Sequence, residues 1–209
     1  MISAIILAAG QSKRMGQPKL LLPWGDTTVL GQVIETVQRA GVNDILVVTG
    51  GAREQVEEIV ARYGGRVVHN ENFKDGEMLS SLQIGLRVLP GTARQGKCRG
   101  LAVSDFSSAE AALIILGDQP QVEERSVRAV ASRFVETRAR LVVPSYRMRR
   151  GHPWLAARPL WEEILQMNPH QTPRDFLNRH ASEIEYVNVD TPSILSDLDT
   201  LDDYLKSRP

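Results

Sequence analysis

The chain has 209 residues, 42% of them apolar and 24% charged, a balance that builds a buried core and excludes intrinsic disorder. Lys plus Arg and Asp plus Glu each number 25, so no overall positive field exists to attract nucleic acid or an anionic membrane. The single cysteine, Cys98, permits no internal disulfide and no cysteine-held zinc, which is the usage of a reducing, cytoplasmic compartment.

The apolar run from Ile2 to Ala9 is too short to span a membrane and ends in a glycine turn. It is expected as a buried first strand, not as an export signal. Leu30, Val33, Ile34 and Val37 repeat at helical spacing, and Gly41 stops that helix. Ile45-Leu46-Val47-Val48 reads as a second strand, Val56, Ile59 and Val60 as a second helix, and Arg66-Val67-Val68 as a short third strand. A third helical stripe follows at Leu79, Leu82, Leu86 and Leu89. Gly91 to Glu110, rich in small and charged residues, is expected as a surface excursion. Ala112 to Leu116 is the most apolar run and predicts a central strand. Val127, Val130, Ala131, Phe134 and Val135 mark the next helix, and Leu141-Val142-Val143 a strand stopped by Pro144. Thr172-Pro173-Arg174-Asp175 and Thr200-Leu201-Asp202-Asp203 each start a helix with an N-cap threonine and an acid at the third helical position. Strands alternating with helices predict an α/β fold: a Rossmann-like, three-layer α/β/α sandwich around a mostly parallel sheet. The whole of 1–209 is expected to form one domain, with a nucleotide-binding N-terminal half and acceptor-side elements at about 145–200.

Such sheets bind ligands at the carboxyl ends of their strands. The first loop there runs Ala8-Ala9-Gly10-Gln11-Ser12-Lys13-Arg14-Met15-Gly16-Gln17-Pro18-Lys19. It has neither the spacing of a Walker A loop nor the three glycines of a dinucleotide fingerprint. Small residues at Ala8, Ala9 and Gly10 still let backbone N–H groups approach a phosphate, with Arg14 and Lys19 supplying charge. On chemistry alone, phosphate binding and a plain solvated turn both remain open.

The full string LAAGQSKRMGQPKLLLP, Leu7 to Pro23, resembles the opening signature of nucleotidyltransferases related to molybdopterin guanylyl- and cytidylyltransferases. The resemblance extends through Asn70 to Leu86, similar to that family's base-recognition segment, and through the turn Gly117-Asp118-Gln119-Pro120, similar to its metal-binding turn. Gly151-His152-Pro153 and the segment Ser196 to Tyr204 resemble elements of the cytidylyl branch, although Leu201 replaces the usual proline.

The resemblance implies roles. Leu7, Ala8, Ala9, Gly10, Gln11, Ser12, Met15 and Gly16 would form the nucleotide loop, with Arg14 on the phosphate oxygens and Lys19 at the α-phosphate, these two being the catalytic candidates. Gly76, Ser80 and Ser81 would meet the base, although helix capping also accounts for Ser80. Asp118 would hold Mg²⁺, or Mn²⁺ in its place, because a hard cation takes carboxylate and phosphate oxygens. Asp197 and Asp199, two apart and therefore on one face of an extended segment, are joint candidates for a second carboxylate. Gly151, His152 and Pro153 would line the acceptor side, with His152 as a pocket residue and not a proton carrier. His69, His170 and His180 match no motif, and Trp24, Trp154 and Trp161 read as packing.

The implied reaction is transfer of CMP from CTP to a molybdopterin-type acceptor with release of pyrophosphate. A molybdenum hydroxylase apoprotein would then receive the product. Three alternatives stay open: a guanylyltransferase using GTP, nucleotidyl transfer to a sugar- or polyol-phosphate, and a nucleotide-binding regulatory module without turnover. Intact Lys19 and Asp118 speak against the last. Ala9, where the guanylyl branch has glycine, favours CTP, because its methyl takes space a purine would need.

Overall fold

The computed structural model describes residues 1–12, 14–75, 78–89 and 109–209. The excursion expected at 91–110 falls almost wholly outside the described residues. Ala109, at its end, is buried, and Glu110 pairs with the N-terminal ammonium of Met1 at 3.0 Å.

The described elements run β1 (Ile2–Ala8), β2 (Pro23–Trp24), β3 (Thr27–Thr28), α1 (Val29–Arg39), β4 (Asp44–Thr49), α2 (Arg53–Arg62), β5 (Arg66–His69) and α3 (Met78–Val88). They continue with β6 (Ala111–Leu116), α4 (Glu124–Thr137), β7 (Leu141–Tyr146), β8 (Arg149–Arg150), β9 (Trp154–Ala157), α5 (Trp161–Leu165), α6 (Pro173–Arg179), β10 (Ile184–Asn188) and α7 (Leu201–Ser207). The main sheet has the order β10-β7-β9-β6-β1-β4-β5, with β8 pairing β7. β9 lies antiparallel to both its neighbours, and the other pairs along that path are parallel. Small β2 and β3 form a separate ribbon.

Period-two alternation along the central strands builds two cores. Ala4, Ile6, Val47, Leu113 and Ile115 face one side, where α1, α2 and α4 cover them. Ile5, Leu46, Val48, Ala112 and Ile114 face the other, under α3, α5 and α6. All six residues of β6 are buried, and each large aliphatic side chain contributes about 1.5–3 kcal/mol by leaving water. Helices on both faces of a mostly parallel sheet give the expected three-layer, Rossmann-like architecture. Val135 is an exception to its helical stripe, since it points outward and is exposed. Trp154 and Trp161 are buried in the second core and Trp24 in the first, as packing residues. Both threonine-started helices carry full capping boxes, Thr172 with Asp175 and Thr200 with Asp203. Among the described residues no helix is long and apolar enough to cross a membrane.

The strand expected to stop at Pro144 runs on to Tyr146. β8 and β9 together form one antiparallel partner of β7, interrupted at Gly151-His152-Pro153. The Pro144 carbonyl accepts from Gly151 N at 3.1 Å, so the N–H that Pro144 lacks would have pointed into that interruption. Having no N–H, Pro144 cannot return that bond, and the pairing breaks there.

Candidate active site

β1 and β6 run in register, Leu7 opposite Leu116, so the loop after β1 and the turn after β6 leave the sheet side by side. Gly117 N donates to Leu7 O at 3.0 Å. On the other flank, the end of β4 presses on the first loop. A Cβ on Gly50 would lie 2.4 Å from Ala9 O and 2.7 Å from Ala9 Cα, so glycine is required for that approach. The loop is pinned further by Gln11, whose Nε2 donates to Phe73 O at 3.2 Å and Lys74 O at 3.0 Å. Ser12 Oγ accepts from Lys19 N at 3.0 Å and folds the loop back on itself.

A cavity of about 600 Å³ opens at this edge. Leu7, Ala8, Ala9, Gly10, Gln11, Ser12, Arg14 and Lys19 line it from the first loop, with Ser81 from α3. Asp118 enters from the β6 turn, and Asp197 and Asp199 from the segment before α7. Twelve of the expected site residues thus share one cleft. Others lie elsewhere. Met15 is buried in the first core and Gly16 lines a separate small hollow beside the start of α2. Gly76 is outside the described residues. Ser80 does not line the cleft and instead bonds Asn70. Leu20, Phe73, Met78 and Leu116 complete the wall, Phe73 and Met78 from within the segment expected to meet the base.

Lys19 and Asp118 form the centre of the polar network. Their side chains are only 14% and 20% exposed, and the Lys19 ammonium bonds Asp118 Oδ2 directly. Lys19 Nζ also donates to Leu198 O at 3.0 Å and lies 4.0 Å from Asp199 Oδ1. Arg14 pairs with Asp199 Oδ2 at 3.0 Å, in a more exposed position. Leu198, wholly buried between the two acids, donates its N–H to Asp118 O at 3.2 Å. Gln119, itself buried, donates from Nε2 to Asp197 Oδ1. Asp197 is accessible from the cleft side, yet its carboxyl backs onto this buried amide. Burial pushes its pKa above the ordinary carboxylate value, the Gln119 bond pulls it back, and the charges of Asp118 and Asp199 push it up again.

Gly151, His152 and Pro153, expected toward the acceptor side, are not among the residues that line this cleft. They form the break between β8 and β9, where the Ile194 carbonyl inserts and accepts from His152 N at 2.9 Å. A Cβ on Gly151 would lie 2.2 Å from Ile194 O. The break therefore grips the chain three residues before Asp197. The His152 residue is half-buried, but its Nδ1 is sealed from solvent and unpartnered. Burial holds the imidazole pKa down to about 4, against the opposing pull of the Ile114 carbonyl and the Asp118 charge. A pKa that low leaves the ring neutral at ordinary pH.

The donor set suits a hard divalent cation. Arg14 and Lys19 set two positive charges against the carboxylates of Asp118, Asp197 and Asp199, so the described wall is net negative when all three are ionised. A polyanionic phosphate chain needs a cation to enter such a cleft. Among the described residues no group of three His, Cys, Asp or Glu closes into a ready-made cage. Carboxylate oxygens at Asp118, Asp197 and Asp199 are the kind of ligand that a hard divalent cation takes beside phosphate oxygens and water.

Comparison with known proteins agrees with this geometry. The model of the MobA-like NTP transferase domain matches residues 4–184. The molybdenum cofactor cytidylyltransferase of Escherichia coli K12 is 25% identical over 99% of this chain and 95% of its own length. The crystal structure of Rv0371c from Mycobacterium tuberculosis H37Rv is 28% identical, with a TM-score of 0.78 over 98% of this chain and 96% of that one. A complex of Rv0371c with manganese is 30% identical, with a TM-score of 0.72 over the same shares.

Proposed function

This chain belongs to the MobA-like NTP transferase family and is a nucleotidyltransferase, and on that premise we propose that it transfers CMP from CTP to a molybdopterin-type acceptor. The observation that carries the reading is the placement of Lys19 and Asp118, bonded to each other, where the first loop meets the β6 turn inside a nucleotide-sized cleft. In the reaction a phosphate oxygen of the acceptor attacks the α-phosphorus, and the bond to the pyrophosphate oxygen breaks.

The chain's own residues align the groups and neutralise charge. Backbone N–H groups of Ala9, Gly10, Gln11 and Ser12 face the phosphates, and Arg14 swings from Asp199 onto their oxygens. Lys19 exchanges part of its contact with Asp118 for the α-phosphate and stabilises the charge that grows there. Asp118, with Asp197 or Asp199, would hold the Mg²⁺ ion, which when bound screens the phosphate charge. The manganese complex of the Mycobacterium relative supports a divalent cation here. Ser81 lies on the base side, and the Ala9 methyl narrows it toward a pyrimidine. The E. coli relative supports the choice of CTP and of the acceptor. The region around 145–200 acts in one domain with the rest, chiefly by carrying Asp197 and Asp199. A cytoplasmic location and delivery to a molybdenum hydroxylase apoprotein belong to the same reading.

The test is isothermal titration of CTP and of GTP in the presence of Mg²⁺, followed by pyrophosphate release with molybdopterin as acceptor. CTP should bind more tightly and turn over faster, by about tenfold or more, since one methyl is worth on the order of 1–3 kcal/mol of discrimination. Tighter binding and faster release with GTP would overturn the choice of nucleotide.

A further inference from the structure

Tyr146 ends β7 and pairs with Arg149, the first residue of β8, across a turn made of Arg147 and Met148. Both turn residues have positive φ, 48° and 64°. A two-residue hairpin needs that left-handed backbone, and glycine or asparagine ordinarily supplies it. Arginine and methionine adopt it against their own sterics, a strain kept where the side chains have a use. Met148 is 94% exposed, more than any other large apolar side chain among the described residues.

Three guanidinium groups surround that methionine. Arg147 lies over the Tyr146 ring at 5.2 Å. Arg150 lies over the Tyr186 ring at 5.7 Å, and it donates from Nε to the Tyr186 hydroxyl at 2.8 Å and from Nη1 to Asn178 Oδ1 at 2.9 Å. Arg149 is exposed. Among the described residues none of the three holds an ion pair with a carboxylate, whereas Arg125, Arg128, Arg133, Arg138 and Arg140 all do. Because β9 is antiparallel to both β6 and β7, those two strands run the same way. The hairpin therefore leaves the sheet at the edge where the cleft opens, displaced from β6 by about 10 Å, two strand spacings. Arg147 to Arg150 are not among the residues that line the cleft.

We propose that the tip of the β7–β8 hairpin is a docking surface for another protein, one that presents carboxylates around an apolar hollow. The carboxylates meet the arginines, and the hollow takes Met148. A convex two-residue tip encloses no phosphate group. Strand alternation sends Arg149 and Arg150 to opposite faces, so no basic stripe follows a nucleic-acid backbone, and the chain has no net charge to draw one in. Arginine, methionine and tyrosine are side chains that protein interfaces concentrate. Methionine adapts to an irregular hollow. Arg147 on Tyr146, and Arg150 on Tyr186 and Asn178, are already ordered, which lowers the entropy lost on docking. A protein held there stands beside the mouth of the cleft, placed to take the product as it leaves. This goes beyond the cytidylyl reading and does not depend on which nucleotide is used.

The experiment measures fluorescence anisotropy of a labelled peptide of repeated Glu-Glu-Leu on the full chain and on two variants. One is the double variant Arg147→Asn with Arg149→Gln, and the other is Met148→Asn. Asparagine tolerates the left-handed turn, so both variants should keep the wild-type melting temperature and the wild-type affinity for CTP with Mg²⁺. The wild type should bind the peptide, more weakly as salt rises, and should not bind its Gln-Gln-Leu counterpart. The arginine variant should weaken binding by about tenfold or more. Met148→Asn should weaken it severalfold at unchanged charge. Absence of peptide binding by the wild type, equal binding by the folded variants, or tighter binding of a single-stranded oligonucleotide of equal charge that the arginine variant abolishes, would overturn the proposal. Titration of CTP on the same samples tests the nucleotide reading separately.

Discussion

Lys19 holds three contacts at once: the Asp118 carboxylate, the Leu198 carbonyl and, more distantly, Asp199. Its ammonium is thus pre-placed, and its strongest partner is an anion that a bound cation also attracts. Contact of this kind gains most when charge shifts in the transition state. Lys19→Ala should therefore lower kcat by roughly a hundredfold, equivalent to about 3 kcal/mol, while nucleotide affinity changes much less. Steady-state kinetics separate the cases, and a raised KM with unchanged kcat would make Lys19 a binding residue only. At this scale the sequence was informative where residues lie in one continuous string. The first loop, Asp118, Asp197 and Asp199 all reach the cleft. A string does not say which way each side chain points, so Met15 was placed with the ligand although it faces the core. Nor does it reveal supporting residues that meet the site only in three dimensions. Gln119 behind Asp197, and Asn70 behind Ser80 and Ser81, lie within matched segments, but a matched segment does not say which side chain each of them supports.

Among the elements, the apolar runs disclosed the parallel strands β1, β4, β5, β6 and β7 and the helices α1 to α4, because strands buried on both faces read as unbroken hydrophobic stretches. β9 escaped that reading. It has only four residues, and it follows a Gly-His-Pro segment that reads as a turn. β10 escaped because it is an edge strand with a half-exposed pattern. The interruption between β8 and β9 is the element that connects fold to site. Gly151 leaves room for the Ile194 carbonyl, and the chain from Ile194 leads directly to Asp197 and Asp199. Gly151→Ala would drive a methyl into a backbone carbonyl that has no flexible end to yield. The variant should lose about 1–3 kcal/mol of stability, a fall of several degrees in Tm for a chain of this size. It should also bind the divalent cation more weakly, because the acidic segment is displaced. Differential scanning calorimetry and Mn²⁺ titration measure the two effects. Loss of neither would show that the break does not hold the acidic segment.

Over the whole molecule the formal charge is zero, so no long-range field draws in a polyanion, and binding must come from local arrangement. The described cleft wall has more acid than base, and on the proposed reading a divalent cation enters with the nucleotide to offset that imbalance. Helices cover both faces of the sheet, and the site is assembled at its carboxyl edge from four distant stretches of chain: the loop after β1, the stretch from Phe73 to Ser81 leading into α3, the turn after β6 and the segment before α7. On the proposed reading Asp118 holds the cation required for nucleotidyl transfer. The most direct test of that role is the rate of pyrophosphate release from CTP, with acceptor and Mg²⁺, by the wild type and by Asp118→Asn, each repeated with excess chelator. Asparagine keeps the shape and removes the charge that attracts the metal. The expected result is release by the wild type that stops on chelation, and a loss of at least about a hundredfold in the folded variant. Release at near wild-type rate by Asp118→Asn, or release that persists in chelator, would contradict it.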